Sequence, residues 1–294
     1  MKTKHSMRMR SALLALLATL PMSAQKATAP HAESVAQTPA VATNPTFLFR
    51  TASFSEGWFR GKDGTHWMTT NLGYTEPFRH ASLSAGITLP FSSQQTVQGA
   101  SRPFAAATRL AAGDPQASDV AREKSFFTLG DIVLRGQAIP YLTPKNGVLL
   151  TTSLTMPTAG NDVVGDGKWT LTPSIAYAHF WPRLLVAQFF QQRVSFAGSA
   201  QRKRINRSDL DLYAVYSSRS QRWWITSDVN LSIDQANHNA LPSSATVSYG
   251  RGLRKLFGGS LNGSIQAGGG IGSKRPHDAT VSIGLSLVGM HHSR

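Results

Sequence analysis

Residues 222–234 read RWWITSDVNLSID, and they alternate. Trp223, Ile225, Val229, Leu231 and Ile233 share one parity, broken only by Ser227. Trp224, Thr226, Asp228, Asn230, Ser232 and Asp234 share the other. Successive side chains of a strand point to opposite faces, so this strand has an apolar face and a face of acids, amides and hydroxyls. In a soluble sandwich the apolar face turns into the core. In a membrane barrel it turns out to lipid, and the polar face lines the lumen. Fold and function both follow from which way round this segment sits.

The start of the chain speaks to compartment. Lys2, Lys4, Arg8 and Arg10 precede a short apolar run over residues 12–20, and residues 21–24 (PMSA) end on a small residue. This predicts a secretory signal peptide over 1–24, too short to span a bilayer as a helix. Residues 25–45 are rich in Ala, Pro, Thr and Gln without an apolar period, which predicts a flexible periplasmic linker. The chain has no cysteine, which excludes a lipid-anchored lipoprotein and a disulfide framework. Without the four leader cations, 26 basic residues face 15 acids, a net charge near +11. Export and the lack of any aromatic-basic motif argue against nucleic acid as the partner, and leave lipid phosphates as the expected anions. After residue 24 no apolar run is long enough for a membrane helix.

The remainder, 46–294, divides into strand-length segments at 46–54, 65–74, 79–90, 125–140, 146–157, 168–179, 183–196, 207–217, 222–234, 242–252, 260–270 and 279–290. Twelve is an even number, as expected of a single-chain barrel, and short and long connections alternate between the segments. Residues 91–124 form the longest predicted extracellular loop. All six tyrosines, with Trp181, Trp223 and Trp224, lie near the short connections, whereas Trp58, Trp67 and Trp169 flank long ones. Amphipathic rings favour the headgroup level, so this distribution predicts a dense periplasmic girdle and a thinner outer one. The expected fold is an all-β, antiparallel transmembrane β-barrel of about 12 strands. A soluble exported sandwich is the alternative.

Segment 152–174, TSLTMPTAGNDVVGDGKWTLTPS, carries a family likeness. Leu154, Pro157, Thr158, Gly165, Gly167, Lys168, Trp169 and Pro173 resemble the pattern of a family of outer-membrane proteins assigned to transport in the meta-pathway of phenol degradation. Gly130-Asp131 and residues 195–198 (SFAG) also look like it. The likeness covers roughly residues 125–290. It implies a barrel of twelve or so strands taking up small, often aromatic compounds, and brings no defined catalytic or binding residues. The chain departs from that family in the length of 91–124 and in ending VGMHHSR, where such barrels usually finish on an aromatic residue.

Chemistry is sought on the polar parity. A turn pairing 217 with 222 would set Asp211 opposite Asp228, with Asp209 and Asn230 on the same wall. Arg193 has the parity to pair with Asp209 or Asp211, and Asp131 with Arg135 forms a second candidate pair. These seven are the expected lumen-lining residues, as a bracing ion network or as the lining of a permeation path. Arg202, Lys203, Arg204 and Arg207 are expected at an outer loop, in contact with lipid phosphates. The glycine runs are not followed by a helix that could hold phosphate, and His291-His292 is a loose metal pair at best. No cofactor is expected and a monomer is. The expected function is a passive conduit for a small hydrophobic or aromatic compound. The alternatives are a non-conducting structural barrel and, third, a lipid hydrolase using His80 with Ser82 or Ser84.

Overall fold

In the computed structural model, residues 48–62, 64–78, 82–96, 124–160 and 165–290 are described. The predicted leader, linker and His80, the final four residues and residues 97–123 of loop 91–124 lie outside them. The strands are β1 (Thr51–Arg60), β2 (His66–Phe78), β3 (Leu83–Thr96), β4 (Lys124–Leu129), β5 (Val133–Leu142), β6 (Asn146–Thr155), β7 (Lys168–Phe180), β8 (Leu184–Gly198), β9 (Asn206–Ser217), β10 (Trp223–Asp234), β11 (Ser243–Leu256), β12 (Gly259–Ile271) and β13 (Ala279–Val288). Sequence neighbours pair antiparallel, and β1 pairs β13 through all ten of its residues, from Thr51↔Val288 to Arg60↔Ala279. That ladder shuts the sheet into a closed barrel and leaves no edge to satisfy.

β4 and β5 both pair with β3 and together occupy one strand position, so the barrel has twelve. Sequence reading expected one strand over 125–140. Ladder pairs Phe91↔Leu129 and Thr88↔Val133 leave three residues, 130–132, facing two, Leu89 and Pro90. Pro90 has no N–H to give the ladder, while its carbonyl accepts the Gly130 N–H at 2.7 Å. A Cβ on Gly130 would stand 3.2 Å from the Pro90 ring, so this close crossing favours glycine. The first strand also differs: it runs 51–60 rather than 46–54, leaving a short turn before β2 where a loop over 55–64 was expected.

The opening question is answered by exposure. Ile225, Leu231 and Ile233 are 41–44% exposed, whereas Trp224, Thr226 and Ser232 are at most 7% exposed. The apolar parity faces outward all round the barrel, with Leu72, Ile87, Leu134, Leu171, Ile175 and Leu285 among its exposed members. An apolar surface this extensive is unsuited to water and suited to hydrocarbon. Near the short turns, Trp223 packs against Tyr216 and Tyr249 with both centroid distances at 6.3 Å, and the Arg183 guanidinium lies 4.7 Å over the Tyr216 ring. Three aromatics placed in the girdles by position turn inward instead: Tyr213, Trp224 and Trp67 share the lumenal parity of their ladder partners.

Candidate functional site

The lumen has two unlike halves. From β11 through β13 and β1 to β3, the inward side chains are almost all Ser, Thr, Gly, Asn and Gln. Gln266 is representative: its Nε2 donates to Thr246 Oγ1 at 2.7 Å, and its Oε1 accepts from Ser282 Oγ at 3.0 Å. From β5 to β10 the inward face carries the ions, Phe189, Tyr213 and Trp224, and a buried apolar patch; Phe59 and Trp67 are the inward aromatics of the other half.

The β9–β10 register departs from expectation by two residues. Ser217 pairs with Trp224, so Asp211 lies opposite Asn230 and Asp228 opposite Tyr213. Ser218 explains the shift. Its Oγ accepts the N–H groups of Arg222 (3.1 Å) and Trp223 (3.3 Å), and its carbonyl accepts that of Gln221, whose φ of 51° completes a longer turn. The two carboxylates are thus offset diagonally, and neither meets a like charge directly across the ladder. Asn230 Nδ2 donates to Asp211 Oδ1 at 2.5 Å. Asp228 Oδ1 is shielded and has no hydrogen-bond partner among the described residues.

Asp209 is the buried acid, 4% exposed. Its partner is Arg207, whose Nε donates to Oδ1 at 2.7 Å and whose Nη2 donates to Ser232 Oγ at 2.8 Å. The Ser232 hydroxyl lies between Asp209 Oδ1 and Asn230 Oδ1 and can donate to one of them at a time. Arg207, expected at lipid phosphates, therefore sits on the lumenal parity within an ion network, because β9 begins at Asn206 and includes it. Arg193 is its direct ladder partner and pairs not with Asp209 or Asp211 but with Asp166 from the β6–β7 loop. Each guanidinium has its own acid, which relieves the repulsion between them.

Asp131 is buried in the β4–β5 break and is not paired with Arg135. It accepts the N–H groups of Ala159 (3.1 Å, Oδ1) and Asp166 (2.8 Å, Oδ2), stapling the loop to the wall. The family-like glycines have reasons here. A Cβ on Gly165 would stand 2.9 Å from Asp131 Oδ1, and Gly167 has φ +60° beside Arg202. Arg202 is correspondingly turned to the loop, donating from Nη2 to the Gly165 carbonyl at 2.8 Å. Lys203 and Arg204 are exposed. Arg135 points into the lumen from mid-β5, is itself exposed, and has no acidic partner among the described residues.

At the end of the short turns the lumen turns apolar, which the polar-lumen expectation missed. Ala178, Leu185, Ala187, Val215 and Trp224 form one buried cluster, with Phe189 and Tyr213 against it edge-to-face at 6.1 Å. Gly250 of β11 gives Trp224 its place: a Cβ there would lie 2.2 Å from the indole. A second cluster joins Leu149 and Ala176 to Leu48, which precedes β1 yet packs against β6 and β7, four and five positions round the wall. Arg50 anchors this reach, with Nε and Nη2 donating to Glu76 at 2.8 and 2.5 Å. That pairing holds the guanidinium above its ordinary pKa. At the opposite end, Phe59 and Trp67 stack at 5.3 Å, and His277 of the β12–β13 loop meets both rings edge-on. Burial lowers the His277 pKa, with Asp278 opposing.

A closed twelve-position hoop, apolar outside and ionic inside, defines an outer-membrane β-barrel fold. Solved structures share it. The COG4313 outer membrane channel from Pseudomonas putida F1 is similar over 83% of this chain and 96% of its own, with a TM-score of 0.61 at 11% identity. The KdgM porin (0.53, 8% identity, 82% and 99% covered) and the NanC porin (0.53, 11%, 82% and 100%) are also similar. No family model and no curated protein sequence matches the chain.

Proposed function

We propose that the chain is an integral outer-membrane barrel that passes small solutes passively and performs no chemistry on them. The observation that carries this reading is a lumen lined at mid-depth by ionisable side chains not consumed by pairing, Arg135 and Asp228 above all, inside an apolar exterior. A barrel that serves only as a wall gains nothing from leaving charges unpaired inside it. The fold shared with channels and porins supports the reading. Residues 1–24 serve as the export signal and 25–45 as a periplasmic linker, and exposed Lys203 and Arg204 meet lipid phosphates. Small aromatic compounds are the solute class suggested by the family likeness of 152–174. The test is a planar bilayer: folded protein gives discrete conductance steps, and Asp228→Asn shifts their selectivity toward anions. Absence of conductance would overturn the reading.

The second reading, a non-conducting barrel, draws on one observation, the apolar floor completed by Leu48. Under that reading Leu48→Ala leaves the bilayer silent as well.

A further inference from the structure

Three lumenal charges without an ion-pair partner among the described residues, Arg135, Asp211 and Asp228, share a level. With strands inclined about 45° to the barrel axis, each residue rises about 2.3 Å along it, and each crossing between neighbouring strands shifts level by about 3.4 Å. Ladder partners lead from Asp228 to Tyr213, Ala187, Ala178, Gly147 and Leu142. The path starts in the middle of β10 and ends at the short-turn tip of β5, a descent of about 17 Å over five crossings. Arg135 stands seven residues back along β5 from Leu142, which regains about 16 Å. Arg135 and Asp228 therefore occupy one level, five of twelve strand positions apart. Asp211, beside Tyr213 on β9, lies within one pleat of that level.

The intervening wall holds the charge apart. Arg207 and Asp209 neutralise one another, Arg193 is held by Asp166, and Phe189 and Tyr213 separate the acids from the β5 side with rings. On the remaining arc, β11 to β3, the inward side chains at this depth carry no formal charge: Thr246, Gln266, Ser282 and Ser55 among them. A twelve-strand hoop of this tilt has backbones about 25 Å apart across such a chord. The result is a free guanidinium on one side of an aqueous gap and two carboxylates on the other, within low-dielectric walls that focus the field between them.

We infer that this ring of Arg135, Asp211 and Asp228 is a bipolar filter that selects small zwitterions. The inference rests on the conduit reading and defines its solute by charge, whether or not that solute is aromatic. A net anion or cation is attracted by one side and repelled by the other. A solute carrying both charges turns its carboxylate toward Arg135 and its ammonium toward Asp211 and Asp228, and loses nothing by being neutral overall. Because the gap exceeds the length of a small zwitterion, the ring orients the solute without clamping it, which is what throughput needs.

The test is liposome swelling with the full-length protein, comparing γ-aminobutyrate with erythritol, an uncharged solute of similar size. Wild type admits γ-aminobutyrate severalfold faster than erythritol. Arg135→Gln, and separately Asp211→Asn with Asp228→Asn, bring the ratio to about one while erythritol still enters, which reports an intact barrel. In bilayers the two variants shift reversal potential in opposite directions, Arg135→Gln toward cations and the double Asn variant toward anions. Equal wild-type rates, or a ratio indifferent to the variants, would overturn the bipolar ring and leave the conduit standing. If erythritol does not enter either, the conduit reading fails and the ring falls with it.

Discussion

The two halves of the lumen wall are built from the same alternation to opposite ends. The β11–β3 half presents hydroxyls, amides and glycines, whose hydrogen bonds close locally, as between Gln266, Thr246 and Ser282. The β5–β10 half presents groups that need distant partners: Asp209 with Arg207 and Ser232, Asp131 with loop N–H groups, Trp224 with the hollow at Gly250. The quiet half supplies room and the busy half fills it. Glycine on one wall is therefore information about a bulky side chain on the other.

The largest effect tests that interlock. Gly250→Val drives a side chain into the Trp224 indole and is expected to cost about 3 kcal/mol, read as loss of the heat-shifted folded band on gels. Adding Trp224→Ala restores much of the folded yield. Equal folding of the single variant would mean the halves do not interlock. Next, Asp209→Ala leaves Arg207 without its acid and lowers stability in urea by about 2–3 kcal/mol. Gln266→Ala, the matching cut on the quiet half, lowers it by about 1 kcal/mol. Similar losses on both sides would erase the contrast drawn above. Third, Leu48→Ala opens the apolar floor and raises mean bilayer conductance, while Ser53→Ala on the quiet half leaves it unchanged.

The smallest effect concerns the end of the barrel opposite the short turns. His277 has a folded pKa below its ordinary value near 6.5, because burial against Phe59 and Trp67 disfavours the charged ring. Protonation therefore favours the open loop. The loop's stability is complete above about pH 6.5 and falls as pH drops from there through the lowered pKa. Hydrogen exchange in 272–278, corrected for its intrinsic rate, is expected to quicken severalfold between pH 7 and pH 5. His277→Phe should remove that dependence, and a persisting dependence would assign it elsewhere.

Much of this fold was legible because period-two alternation depends on adjacent residues alone. Residues 222–234 declared two faces, and their neighbours agreed on which face was wet. What escaped reading depended on single side chains whose effect the period does not carry. The Ser218 hydroxyl lengthened a turn and moved Asp228 from Asp211 to Tyr213; nothing in a 217–222 spacing reveals that. Pro90 split a predicted strand from the far side of a ladder, although Gly130-Asp131 was a local sign that a break was possible. Trp224 and Tyr213 were counted as girdle by nearness to a turn, when their parity already set them inside. Parity gave no partner for Arg193, which met Asp166 from a loop that carries no period.

Leu48 bears on the order of assembly. Its seat is made by Leu149 and Ala176, contributed by strands far from β1 both along the chain and round the circumference. The seat itself forms with the β6–β7 hairpin, where Leu149 and Ala176 are ladder partners, but Leu48 comes within reach of it only once the ribbon has curled. A residue near the front of the chain thus reaches its final place only after the last hairpin has met the first, which makes it a late reporter of closure rather than a nucleus for it.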